Sequence, residues 1–177
     1  MTSKVCEVFD SHHHIWSNGE EKYPWVTEPI NELKKNSTVE NYISSTNYEP
    51  LNQTDDNNQY RTKITKSLIV QPLNHKFDHS YLFHALQSYP EKFFGMGLAN
   101  PDEGRIGLRQ LRENSPKNFV AVRFNPALFP DGNMDSDLAG NMFEEASELN
   151  FVVGVMCFKG IKDHVPALRK WAERYKI

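Results

Sequence analysis

"VCEVFDSHHHI", residues Val5 to Ile15, is the stretch from which the rest of the chain is read. Val5, Val8 and Phe9 give it the β-branched and aromatic content of a strand. In a strand successive side chains point to opposite faces, so His12 and His14 share one face, Asp10 lies on that face too, and His13 points the other way. Two imidazoles separated by one residue can reach one metal ion, each with a neutral nitrogen about 2 Å from it. An acid near such a pair can orient or supplement it. A tag remnant is disfavoured, because Phe9, Ile15 and Trp16 embed the histidines in a strand. Spacing alone leaves open a plain surface or structural strand.

Outward from this strand the pattern changes repeatedly, from short apolar runs to segments with apolar residues three or four apart. The runs are Lys66 to Pro72, Lys92 to Pro101, Asn118 to Pro126 and Phe151 to Phe158, the last nearly continuous and suited to a strand covered on both faces. The first strand is followed by a long polar and aromatic excursion containing "EEKYPW" and a short helix around Val39 to Ser45. Glu49 to Tyr60 has the amides and aspartates of an exposed loop. Leu82, Leu86 and Tyr89 mark a helix that Pro90 closes and Asp78 caps. Ile106, Leu108 and Leu111 mark a weaker one. Leu138, Met142, Ala146 and Leu149 mark a helix capped by Ser136 or Asp137, and Val165, Leu168 and Trp171 mark the last. Five strand-and-helix repeats imply a parallel α/β architecture. A closed eight-stranded barrel takes about 250 residues, whereas an open doubly wound sheet closes with fewer strands. The Gly-rich loop of a dinucleotide-binding sheet is missing after the first strand, which weakens a nucleotide-binding reading.

Composition excludes several partners. The 177 residues carry 20 basic and 23 acidic side chains, a net charge of -3, spread too evenly to gather a nucleic acid. Neither an apolar run of membrane-spanning length nor a secretory leader is present, so a cytoplasmic location and no membrane partner are expected. Cys6 and Cys157 are too few for a disulfide scaffold, in keeping with a reducing compartment.

"FDSHHHIW" and "EEKYPW", followed in order by "SLIVQP", "FDHSYLFHAL", "YPEKFFGMGLANPD" and "VAVRFNP", resemble metal-dependent hydrolases of the amidohydrolase superfamily. The resemblance is to the amidohydrolase-2 branch, which contains sugar lactonases, dicarboxylate lactonases and nonoxidative decarboxylases. It covers most of the chain and implies a (β/α)8 TIM barrel of which residues 1–177 are a single N-terminal portion, about the first five βα units. On that scaffold His12 and His14 are the metal ligands, for a divalent ion such as zinc or, alternatively, manganese. Arg123 would grip a carboxylate or lactone oxygen through two donors. Gln71 and His75, at and beyond the end of the second strand, and Trp25, in the first loop, would line the substrate pocket. Gln71 has the alternative of satisfying backbone groups at a strand end, and the aromatic residues of the first loop that of apolar bulk. His79 and His84 are expected to be structural, and Asn125 to shape the turn before Pro126.

Members of the branch continue through three further strands, which bring another histidine and the aspartate that accepts the proton of the attacking water. Neither segment lies within these residues, so no catalytic residue is assigned here. The resemblance then implies, for a complete form, hydrolysis of a lactone or related carboxylate-bearing small molecule. The alternatives are an inactive truncated or binding remnant, and a related nonoxidative decarboxylase. A fragment of a longer hydrolase is the favoured account. The fifth strand is expected to expose an unpaired edge that invites self-association.

Overall fold

A computed structural model describes residues 4–46 and 60–176. It holds five parallel strands in one sheet with the hydrogen-bonded order β1-β2-β3-β4-β5. Strand order that follows chain order without reversal is the order of a (β/α)8 barrel; a doubly wound sheet reverses at its switch point. The chain is thus α/β with the topology of part of a TIM barrel, and the eight-unit barrel is not present in it.

The residues divide into two compact units, 1–95 and 96–177, with the boundary inside β3 (Phe93–Leu98). In the first, β1 (Lys4–His13) pairs with β2 (Tyr60–Val70), and α1 (Asn31–Asn36), α2 (Val39–Thr46) and α3 (Ser80–Ser88) complete the unit. Its core holds Ile15, Val39, Ile69, Val70, Leu82, Ala85 and Leu86. α2 and α3 form where apolar residues recur at helical spacing. α1 buries none of its residues, which is why no apolar period announces it. β2 starts six residues before the Lys66 of its apolar run. Tyr60 to Ile64 pair in register with Lys4 to Val8, and alternating Thr and Lys suit such a ladder without an apolar signature. The exposed loop expected over Glu49 to Tyr60 lies, up to residue 59, outside the described residues. Asp78 accepts the Ser80 amide at 3.0 Å at the start of α3, and Pro90 follows its end.

In the second unit, α4 (Gly104–Asn114), β4 (Phe119–Phe124), α5 (Asp137–Glu148), β5 (Val152–Val155) and α6 (Val165–Arg174) follow β3. Ser136, not Asp137, caps α5, its hydroxyl accepting the Ala139 amide at 3.2 Å. Phe143 on α5 lies edge-on to Phe124 of β4 at 4.9 Å and stacks toward Trp171 of α6 at 6.2 Å. Trp171 also donates its indole N–H to the Met134 carbonyl at 2.7 Å. Arg105 and Arg109 of α4 close on Glu145 of α5, whose buried carboxylate accepts from both. The two guanidinium groups hold that carboxyl below its ordinary range, the Arg109 hydrogen bonds contributing most.

β5 departs from the expected strand. It spans four residues, and Val152 is 58% exposed. Standing last in the sheet order, it is the edge strand expected, and the exposed Val152 is where it departs from a strand covered on both faces. Phe158, Ile161 and Val165 beyond it are exposed as well.

Candidate functional site

The ladder between β1 and β2 is irregular where the histidines begin. Asp10 stands opposite Ser67 and His13 opposite Ile69, so β1 spends three steps on two of β2. This is a bulge, and a bulge re-aims the side chains that follow it. Asp10 is thereby taken off the face of the histidine pair, contrary to strict alternation. Its Oδ2 turns instead to His13 Nδ1, 3.4 Å away, and to the Tyr42 hydroxyl at 3.1 Å. The His13 ring lies 3.8 Å, centroid to centroid, from that of Tyr42. Burial lowers the His13 pKa, and the Asp10 charge and hydrogen bond oppose the shift.

His12 and His14 do converge. Their Nε2 atoms are 3.1 Å apart. His14 Nδ1 is 2.7 Å from the Val70 carbonyl oxygen, a contact that requires the proton on Nδ1 and leaves the Nε2 lone pair available to accept or to ligate. Without an ion, His12 Nε2–H is then the donor between the two rings. Two nitrogens held about 2.0–2.1 Å from one ion stand about 3.3 Å apart in tetrahedral geometry and about 2.9 Å apart at a right angle. The observed spacing falls between these values, so the pair fits a shared divalent ion. Among the described residues no group of three or more His, Cys, Asp or Glu side chains could hold a metal ion, so the pair supplies only part of a coordination shell.

The expected pocket residues have more structural surroundings. Gln71, buried just past β2, donates its amide N–H to the Asp78 carbonyl at 2.5 Å. His75 is 1% exposed and is held at both nitrogens: Nδ1 donates to the Pro24 carbonyl at 2.9 Å, and Nε2 accepts the Ser17 amide at 3.4 Å. It ties the first loop to the loop after β2. Burial lowers its pKa, with the Pro24 carbonyl and Asp78 acting the other way. Trp16 joins the same junction through its indole N–H to Asn74 Oδ1 at 2.8 Å. Trp25 is half-buried and packs over Gly19, where φ is +75° and a Cβ would come within 2.7 Å of the indole. Its Nε1 is buried and has no hydrogen-bond partner among the described residues. His79 and His84 stack on Phe83 and Tyr81 respectively.

In the second unit, Arg123 lies near the end of β4 and is 5% exposed. Burial draws its pKa below the ordinary guanidinium value. Asn125 shapes the following turn by accepting the Ala127 amide at 3.0 Å. Tyr42 and Ser67 are the site neighbours that sequence reasoning missed. They lie 32 and 57 residues from Asp10, and no local pattern joins them to it.

No protein-family profile matches the chain, and no curated protein does. Two solved structures share its fold. One is a probable 2-pyrone-4,6-dicarboxylic acid hydrolase from Acinetobacter baumannii with citric acid bound; it is 18% identical, with a TM-score of 0.65 over 94% of this chain and 54% of that one. The other, assigned as a 2-pyrone-4,6-dicarboxylic acid hydrolase from Pseudomonas putida, is 20% identical, with a TM-score of 0.53 over 92% and 53%. At these identities the likeness is one of fold. The chain spans about half the length of either structure.

Proposed function

We propose that these residues are the front half of a metal-dependent hydrolase of the amidohydrolase-2 type, acting on a lactone or related carboxylate-bearing small molecule. The observation that carries the reading is the convergence of His12 and His14 Nε2 at 3.1 Å with the His14 tautomer set by Val70. Hydrolase-assigned structures of the same fold support the class of reaction, and their dicarboxylate substrate supports the class of compound. His12 and His14 would hold a divalent ion, zinc being the first choice and manganese the second. The chemistry such an ion supplies when bound is activation of water and polarisation of the substrate carbonyl. Arg123 is assigned the substrate carboxylate on its chemistry, since a guanidinium offers two parallel donors to two carboxylate oxygens. The reading places the protein in solution with a small-molecule substrate. No helix among the described residues is long and apolar enough to cross a membrane.

A second reading, an inactive remnant that keeps the fold, is favoured by one observation: only two candidate ligands converge among the described residues. Elemental analysis separates the two. The purified chain, loaded with zinc and desalted, is compared with the same chain carrying His12→Ala and His14→Ala. Stoichiometric zinc that the double variant loses supports the metal site, and hydrolysis of 2-pyrone-4,6-dicarboxylate by the loaded chain would then support the substrate class. A folded chain that takes up no zinc refutes the hydrolase reading for these residues.

A further inference from the structure

We propose that Tyr42, Ser67 and Asp10 form a positioning device that sets the β1 bulge and so aims His12 and His14 at a common point. The proposal rests on the metal-site reading above for its purpose, and on the geometry of the first unit for its mechanism.

The bulge has a specific lock. Asp10 Oδ1 accepts the backbone N–H of His12 at 3.2 Å, which turns the chain between the two residues. Its Oδ2 receives Tyr42 from α2 at 3.1 Å, and the Tyr42 oxygen is 2.5 Å from the hydroxyl of Ser67, which stands opposite Asp10 on β2. One arrangement of protons satisfies every group. A carboxylate can only accept, so Tyr42 donates to Asp10, and Ser67 donates to Tyr42. Tyr42 is 6% exposed and Ser67 fully buried, so water does not readily replace either partner. Burial, partly offset by the Ser67 hydrogen bond and reinforced by the Asp10 charge, pushes the Tyr42 pKa up to about 12, and the phenol keeps its proton at any working pH. The His13 ring packs on the Tyr42 ring, 3.8 Å between centroids. The alternate histidine thereby has its own seat, and the residues on either side of it are left to face the shared point. Asp10 acts through the His12 backbone and is not itself directed at the pair. Groups that orient ligands in this way, when mutated, lower metal affinity by about 10–100-fold.

The test compares the full chain with Tyr42→Phe, Asp10→Ala and Asp10→Asn, using zinc affinity by competition with a chromophoric chelator and hydrogen exchange of the His12 amide in the zinc-free protein. Positioning predicts zinc affinity about 10-fold weaker in Tyr42→Phe and weaker still in Asp10→Ala, together with His12 amide exchange at least about 10-fold faster in both. Asp10→Asn keeps an oxygen for the His12 amide and is expected to restore most of the protection that Asp10→Ala loses. A residue that merely supports the fold would lower the unfolding midpoint in all three variants without this ranking. The proposal fails if folded Tyr42→Phe and Asp10→Ala keep wild-type His12 protection, or if Asp10→Asn is as impaired as Asp10→Ala. Should the wild-type chain bind no zinc, the hydrolase reading falls, and the exchange measurement still decides whether the three residues hold the bulge.

Discussion

Gly140→Ala should destabilise the protein even though it improves a helix. Gly140 lies inside α5, where alanine is favoured over glycine by about 1 kcal/mol. A Cβ there would stand 2.6 Å from Trp171 Cη2 and 3.1 Å from two further atoms of the same ring. The indole cannot easily withdraw. It is buried, its N–H is committed to the Met134 carbonyl at 2.7 Å, and it stacks toward Phe143 and Tyr175. Forcing a methyl group into such a site costs about 1–3 kcal/mol, which exceeds the propensity gain, so the expected net loss is about 1 kcal/mol. Trp171→Phe removes the outer ring that the methyl group meets. In that background the overpacking largely disappears, and Gly140→Ala should become stabilising by up to about 1 kcal/mol. Urea unfolding of the four proteins, followed by circular dichroism, measures the cycle. A higher midpoint for Gly140→Ala in the wild-type background, or the same change in both backgrounds, would refute the argument.

Other outcomes follow from the same geometry. Burial lowers the His75 pKa, so below about pH 6.5 the unfolded chain takes up a proton that the folded ring resists; stability should therefore fall as pH drops from there, and His75→Gln should flatten that slope in urea midpoints measured between pH 7.5 and 5. Glu145 is held below its ordinary pKa by Arg109 and Arg105, so its contribution is present above the unfolded carboxyl value and lost as pH falls through the folded one. Glu145→Gln should lower the midpoint at pH 7 and reduce its loss on acidification. Val152→Lys, on the exposed face of edge strand β5, should reduce any self-association seen by sedimentation velocity, leaving the circular dichroism spectrum unchanged. A variant that associates as the wild type does would show that this edge is not the contact.

Local chemistry made much of this chain legible in advance. Short apolar runs marked each strand, helical spacing marked α3, α4, α5 and α6, and the polar groups of Asp78 and Ser136 next to apolar runs marked two helix starts. The His12 and His14 pair was visible for the same reason, since residues two apart in an extended chain share a face whatever else the protein does. Where the polar ladder of early β2 and the wholly unburied α1 offered no apolar period, the elements were invisible. Tertiary structure alone decided the rest. Pairing with β2 placed a bulge between Asp10 and His13 and turned the aspartate away from the pair toward Tyr42. Closure of the first loop against the loop after β2 engaged both nitrogens of His75, and packing around β5 left Val152 exposed within a run that composition would bury. Periodicity records which residues share a face of one element, whereas ladder register, loop docking and sheet order join residues far apart in the chain, and these determined which side chains met.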